Sequence, residues 1–383
     1  MDLIPQFPAL RIGKVETMVF RVPIDVPVET SFGLMHDRPA VLVRVEDQDG
    51  AVGWGEIWCN FPSVGAEHRA RVLASCIAPV LLGTEWRHPR DAYVELTRRL
   101  RVLAIQAGEP GTIAQAIAGV DIAMWDLAAR RLGQPLWKLL GGSARVPTYA
   151  SGLSPTAPEK LAAAKYGEGF RAFKLKVGFG IDRDRRNLRA LREELGAAAL
   201  MIDANQAWVT DEAIAMSTAL EEFEPAWLEE PIGADSPLSE WTRLAQASPI
   251  PLAAGENMRG DTMFAEAIAS KAFAVIQPDL AKWGGFSACL PVARQAIAAG
   301  RLFCPHWLGG GIGLLASLHL KGAVGGEGYA EIDANPNPLR DLLATPLPQM
   351  LEGVVTLSDR PGLGVEPNLQ DAGRFLVHTE CVS

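Results

Sequence analysis

Two lysines, Lys174 and Lys176, occupy alternate positions in the short apolar run Phe173-Lys174-Leu175-Lys176-Val177. On a β-strand that spacing sends both ammonium groups to one face and Leu175 to the other. Further along, short apolar runs repeatedly lead to an ionisable residue: Met201-Ile202 to Asp203, Trp227-Leu228 to Glu229, Leu252–Gly255 to Glu256, Val275–Pro278 to Asp279, Leu302–Pro305 to His306 and Gly328–Ala330 to Glu331. From Lys176 to Glu331 the successive steps are 27, 26, 27, 23, 27 and 25 residues. A strand, a loop, a helix and a return loop take roughly 25–30 residues. The spacing therefore predicts a parallel α/β barrel with these residues at the C-terminal strand ends, the face where such barrels keep their chemistry.

Three carboxylates on successive strand ends repel one another unless a cation neutralises them. Asp203, Glu229 and Glu256 are hard oxygen donors without a histidine or cysteine among them, which favours Mg²⁺ or Mn²⁺ over zinc. The alternative for such acids is a helix N-cap or an ion pair, and Glu230 is the neighbour most easily confused with Glu229. Lys174 and Lys176 would flank the metal on one side. A lysine is a poor base at neutral pH, but a second ammonium and a metal charge both lower its pKa; otherwise the pair simply neutralises the carboxylates. On the other side, Asp279 accepting from one nitrogen of His306 would fix the imidazole tautomer and favour its charged form. That histidine is a better candidate than His68, His88 or His378. Glu331 would complete the ring as a protonated carboxyl able to donate to a developing oxyanion. Such a set suits removal of the weakly acidic proton α to a carboxylate, where the dianion needs metal and hydrogen-bond donors. Groups on opposite faces permit racemisation, and the same pair permits β-elimination, one taking the α-proton and the other protonating a leaving hydroxyl.

The rest of the chain must position these groups. Its 383 residues are long for one domain and fit a barrel plus a smaller domain. A net charge of −9 and a pI near 5.3 argue against nucleic-acid or anionic-membrane partners. The five cysteines are scattered without metal-type spacing, as in a reduced cytoplasmic protein, and neither a signal segment nor a bilayer-spanning run stands out. Residues 14–54 read as an antiparallel meander with the turn Asp47-Gln48-Asp49-Gly50. Two long connections, 24–38 and 56–65, carry Phe32, Met35, His36, Trp58 and Phe61 and are candidates for lids. The helical period over 112–128 includes Asp121 and Asp126, to which we assign structural roles because they lie outside the barrel period. Domains are expected at 1–142 and 143–350, with 351–383 returning to the first.

In this order and spacing, Lys174-Leu175-Lys176, Asp203-Ala204-Asn205, Glu229-Glu230-Pro231, Gly255-Glu256-Asn257, Asp279 ahead of Gly284-Gly285, His306, Glu331 and the segment Gly119–Asp126 resemble the enolase superfamily, and within it the mandelate racemase group. The resemblance covers nearly the whole chain. It implies a modified (β/α)8-type barrel with an N-terminal α+β capping domain, and Mg²⁺ on Asp203, Glu229 and Glu256. It also implies Lys176 as base on one face, the His306–Asp279 dyad on the other, and Asn205 near the substrate's α-substituent. Relatives that lactonise muconate or epimerise dipeptides carry lysine where this chain has Asp279; Lys282, three residues later, is expected to be structural or electrostatic. Dehydration of a sugar acid is the activity expected first, with racemisation or epimerisation of a hydroxy acid or amino-acid derivative second, and a homo-oligomer as the working form. A Schiff-base aldolase and a non-catalytic carboxylate-binding protein are the competing classes. Fold alone supports none of these.

Overall fold

The computed structural model describes residues 7–30 and 33–383, so Phe32 lies outside them. Strand Leu10–Thr30 pairs antiparallel with Gly33–Asp47, which pairs with Val52–Ile57. The turn between the last two is held by Asp47 Oδ1, which accepts from the N–H groups of Asp49 and Ala51 at 3.0 and 2.9 Å. The final strand, Leu376–Val382, runs along the free edge of the first. Helix Pro110–Arg131 packs on this sheet very closely. A Cβ on Gly55 would lie 2.1 Å from the carbonyl oxygen of Gly119, so only glycine allows the approach. This helix is long and apolar enough to cross a membrane, contrary to expectation. It is a core helix, however, with 83% of its most apolar window buried between the sheet and the barrel.

Eight parallel strands form the barrel: Arg145–Leu153, Ala172–Lys176, Ala199–Asp203, Leu228–Glu229, Leu252–Ala254, Val275–Ile276, Leu302–Phe303 and Ala330–Asp333, the last pairing with the first. Seven helices alternate with them, from Pro158–Gly167 to Gly311–Val324. The first of these, alanine-rich and without a one-sided apolar pattern, is not evident from periodicity. The hairpin of Met350–Leu351 and Val354–Thr356 lies antiparallel on the first barrel strand. Residues 351–356 therefore belong to the barrel wall rather than to a returning tail, and the chain joins the capping sheet only at 376.

Strand alternation organises the interior. Tyr149, Ala172, Met201, Trp227, Ala253, Val275 and Cys304 form one buried apolar layer, with Tyr329 packed against it. Two residues further along each strand, on the same face, stand Ser151, Lys174, Asp203, Glu229, Gly255, Gln277, His306 and Glu331. The apolar layer is a floor, and the polar set is the ring directly above it.

Buried polar groups tie the cap to the barrel. Glu56 accepts from the N–H groups of Gly310 and Gly313 at 2.5 and 2.8 Å, capping helix Gly311–Val324 from the other domain, and burial pushes its carboxyl up to about 7. Asp121 accepts from Ser287 N–H at 3.0 Å at the start of helix Gly285–Ala298. Asp126 accepts from Trp54 and Leu363 N–H at 2.8 and 2.6 Å and from Arg130 Nε at 2.7 Å. Both aspartates are structural. On the same seam His319 is 1% exposed; its Nδ1 accepts from Trp137 N–H at 3.0 Å, and burial pushes its pKa down to about 3. Below the ordinary value of 6.5 the unfolded chain binds a proton that the folded site refuses, so stability falls as pH falls through that window. His319→Asn keeps an acceptor without this proton linkage. Its stability deficit in urea titrations should narrow by about 2 kcal/mol between pH 7 and pH 5; a constant deficit would show that folded His319 takes up the proton.

Candidate active site

Lys174 lies deep in the ring, 1% exposed, with its ammonium 2.6 Å from Glu229 Oε1, 2.9 Å from Glu331 Oε1 and 3.3 Å from the Tyr149 hydroxyl. Lys176 sits one pleat higher, donating to Asp203 Oδ2 at 2.5 Å. Across the barrel, His306 Nδ1 lies 2.7 Å from Asp279 Oδ2 and Nε2 lies 2.6 Å from Glu256 Oε2. The other oxygen of Asp279 accepts from the N–H groups of Ala281 and Lys282 at 2.9 and 3.0 Å, which fixes the carboxylate that orients the imidazole. Lys282 Nζ is 3.1 Å from Glu256 Oε1 and 3.2 Å from Asn257 Oδ1. Asn205 adopts a left-handed backbone (φ 44°) and turns its N–H onto Asp203 Oδ1 at 2.8 Å.

Electrostatics differ from expectation at two positions. Burial and the Lys174 charge pull the pKa of Lys176 down, yet Asp203, Glu256 and Glu229 outweigh them and hold it above its ordinary value. Burial would likewise raise Glu331, but the charges of Lys174 and His306 hold it at about 2, so it is an ionised partner of Lys174 rather than a neutral donor. Burial lowers His306, while Glu256, Glu331 and Asp279 more than reverse this and favour the imidazolium.

Among the described residues, no three ligand-type side chains enclose a metal-sized space. Each expected ligand instead faces a cation: Asp203 faces Lys176, Glu229 faces Lys174, and Glu256 faces His306 and Lys282. The donor set nevertheless fits a hard divalent ion. Buried Asp203, Glu229, Glu230, Asp279 and Glu331, with Glu256, outnumber Lys174, Lys176, Lys282 and His306. Burial and neighbouring acids push Glu229 up to about 7 and Glu230 up to about 8. Among the described residues, Glu230 Oε1 and Gln277 Oε1 are buried without a hydrogen-bond partner. An excess of buried anionic oxygen with spare lone pairs is what such a cation relieves.

Two family models divide the chain. Residues 14–141 match the mandelate racemase/muconate lactonizing enzyme N-terminal domain, and residues 158–372 match the enolase C-terminal domain-like family. The chain belongs to the mandelate racemase/muconate lactonizing enzyme family. This family member is 33% identical over 380 residues to D-galactarolactone cycloisomerase of Agrobacterium fabrum, covering 94% of this chain and 97% of the relative. It is 34% identical over 368 residues to L-talarate/galactarate dehydratase of Salmonella typhimurium, covering 92% and 88%. A solved mandelate racemase/muconate lactonizing enzyme of Bordetella bronchiseptica superposes with TM-score 0.91 at 54% identity over 95% of this chain and 99% of that one. A racemase of Streptomyces coelicolor with bound magnesium superposes with TM-score 0.87 at 31% identity over 96% and 100%.

Two ring members of this family member escaped sequence reasoning. The Ser151 hydroxyl donates to Glu331 Oε1, and Gln277 Nε2 donates to Glu229 Oε2 at 2.6 Å. Neither is ionisable, so a search for charged strand ends passes over them. Counting two residues on from each floor residue would have found both.

Proposed function

We propose that this family member removes the proton α to a carboxylate and eliminates a β-hydroxyl from a sugar acid. The carrying observation is the placement of Lys176 and His306 on opposite sides of the barrel mouth, with Asp203, Glu229 and Glu256 at the ends of three of the four strands between them. We assign these three carboxylates to Mg²⁺, with Mn²⁺ the other ion the donor set suits; when bound, it would neutralise them and stabilise the dianion. Lys176 Nζ, a neutral amine once a bound cation offsets the carboxylates that hold its pKa up, would take the α-proton from one face. His306, charged and oriented by Asp279, gives its proton to the β-hydroxyl, which leaves as water. The resulting enol returns to a keto acid. Lys174, fixed by Glu229 and Glu331, supplies positive charge beside the substrate carboxylate, and Asn205 faces the α-substituent. The L-talarate/galactarate dehydratase relative supports this chemistry. The D-galactarolactone cycloisomerase relative favours a second form in which the leaving oxygen remains tethered, so that the elimination opens a ring. With no leaving group, the same two residues would exchange the α-proton across faces and racemise the substrate.

The test is α-proton exchange in D₂O with Mg²⁺ across sugar acids, their lactones and aryl or alkyl hydroxy acids, with keto acid assayed in parallel. Keto acid from a sugar acid is the expected result. Deuterium uptake with inversion and no keto acid would replace dehydration by racemisation. No exchange on any member would overturn the proposal.

A further inference from the structure

We propose that Trp58, a residue of the capping domain, positions Glu256 by holding Lys282 against it; this rests on the assignment of Glu256 as a metal ligand. The two oxygens of Glu256 are contested. Oε2 lies 2.6 Å from His306 Nε2, and Oε1 lies 3.1 Å from Lys282 Nζ. His306 can reach a substrate only when Nε2 parts from Glu256, so whatever draws the carboxylate the other way serves the acid–base step. Lys282 is placed to do so.

Lys282 is a flexible side chain, and among the described residues its ammonium has two oxygen partners, Glu256 and Asn257 at 3.1 and 3.2 Å. A further contact is the face of Trp58, whose ring centroid lies 4.5 Å from Nζ. Indole is the strongest aromatic partner for a cation, and the attraction grows as water is excluded; here Lys282 is 9% exposed. Trp58 is fixed in turn from both domains. Its backbone N–H approaches the barrel carbonyl of Ala281 at 3.4 Å, and from the cap the Arg69 guanidinium lies 5.6 Å from its ring. Arg69 itself donates to Gln115 at 2.8 Å and to the Phe61 carbonyl at 3.1 Å. A continuous set of contacts therefore runs from the cap helix Gly65–Val72 through Trp58 and Lys282 to Glu256. The packing of this one cap side chain, rather than the seating of the cap as a whole, is thereby coupled to the orientation of a metal ligand and to the freedom of His306. Changing partners of this outer kind typically costs about 10–100-fold in metal affinity.

The experiment compares full-length wild type with Trp58→Ala, Trp58→Phe, Lys282→Met and the Trp58→Ala/Lys282→Met pair. Mg²⁺ affinity is measured by calorimetry, and α-proton exchange is measured on both enantiomers of one substrate. We expect Trp58→Ala to weaken Mg²⁺ binding about tenfold or more and to slow exchange at the His306 face more than at the Lys176 face. Trp58→Phe should recover most of both losses, and the double variant should be no worse than Lys282→Met alone. Asp126→Asn, which loosens the cap at a distance, should lower the melting temperature without changing Mg²⁺ affinity. Mg²⁺ affinity within twofold of wild type in Trp58→Ala, additive losses in the double variant, or an equal loss in Asp126→Asn would each overturn the proposal. A wild type that binds no Mg²⁺ would instead remove the assignment of Glu256, and this proposal with it.

Discussion

Lys176→Ala is expected to lower turnover by about 10²–10⁴-fold, the range general acid–base groups supply, while the fold is retained. The size of the effect follows from the layering of the barrel. Lys174 cannot substitute, because its ammonium is already held by Glu229 and Glu331 one pleat below and is 1% exposed. Lys176→Arg should be nearly as inactive, since a guanidinium keeps its charge but cannot act as a base at neutral pH. Exchange catalysed from the His306 face should survive in both variants, which separates loss of one base from loss of the site. Lys174→Met should behave differently and destabilise the protein, because Glu331 would lose its buried counter-charge and Glu229, already raised to about 7, would be pushed further toward its neutral form. Turnover above a tenth of wild type in Lys176→Ala would remove Lys176 from the base role.

The largest stability effect is expected at the cap–barrel seam. Arg38 is 0% exposed, and its Nη2 lies 2.6 Å from Asp333 Oδ2. Among the described residues Nε and Nη1 have no hydrogen-bond partner, so Asp333 is the counter-charge that makes burial of this guanidinium tolerable. Asp333 itself stays below its ordinary pKa: burial would raise it, but the charges of Arg38 and Arg340 outweigh that. Asp333→Ala leaves a buried cation unmatched and should cost about 3–5 kcal/mol in urea unfolding. The paired change Arg38→Met/Asp333→Leu removes both charges and should recover most of that loss. A cost below about 1 kcal/mol for Asp333→Ala would mean that the guanidinium finds another partner or water.

The catalytic ring was legible because its charged members mark strand ends at a regular interval, and a strand's two-residue repeat then assigns each side chain a face. Lys174 and Lys176 could be placed on one side of one strand before any contact was known. Their division of labour could not. That Lys174 is locked below and Lys176 stands above depends on Glu229 and Glu331 arriving from strands more than fifty residues away. Protonation states were read least well. A second ammonium suggested a lowered Lys176, but the surrounding carboxylates, brought in by the fold, outweigh it. Glu56 passed unnoticed because its partners are bare backbone N–H groups at a helix start, which carry no side-chain signature. The helix at 158–167 was missed for a related reason: alanines on every face leave no periodic contrast to detect.

The floor and ring within the barrel have an evolutionary consequence. Tyr149, Met201, Trp227 and their neighbours seal the interior chiefly by apolar packing, touching the ring through the Tyr149 hydroxyl and the Trp227 N–H, whereas the reacting groups occupy the layer above. Gly255 shows the independence most directly: it fills a ring position with no side chain at all, and the acid that serves the site is the next residue, Glu256. Descent can therefore exchange one acid or base for another on the upper layer while inheriting the plug unchanged. Relatives named for dehydratase, cycloisomerase and racemase activities are what a replaceable upper tier would allow.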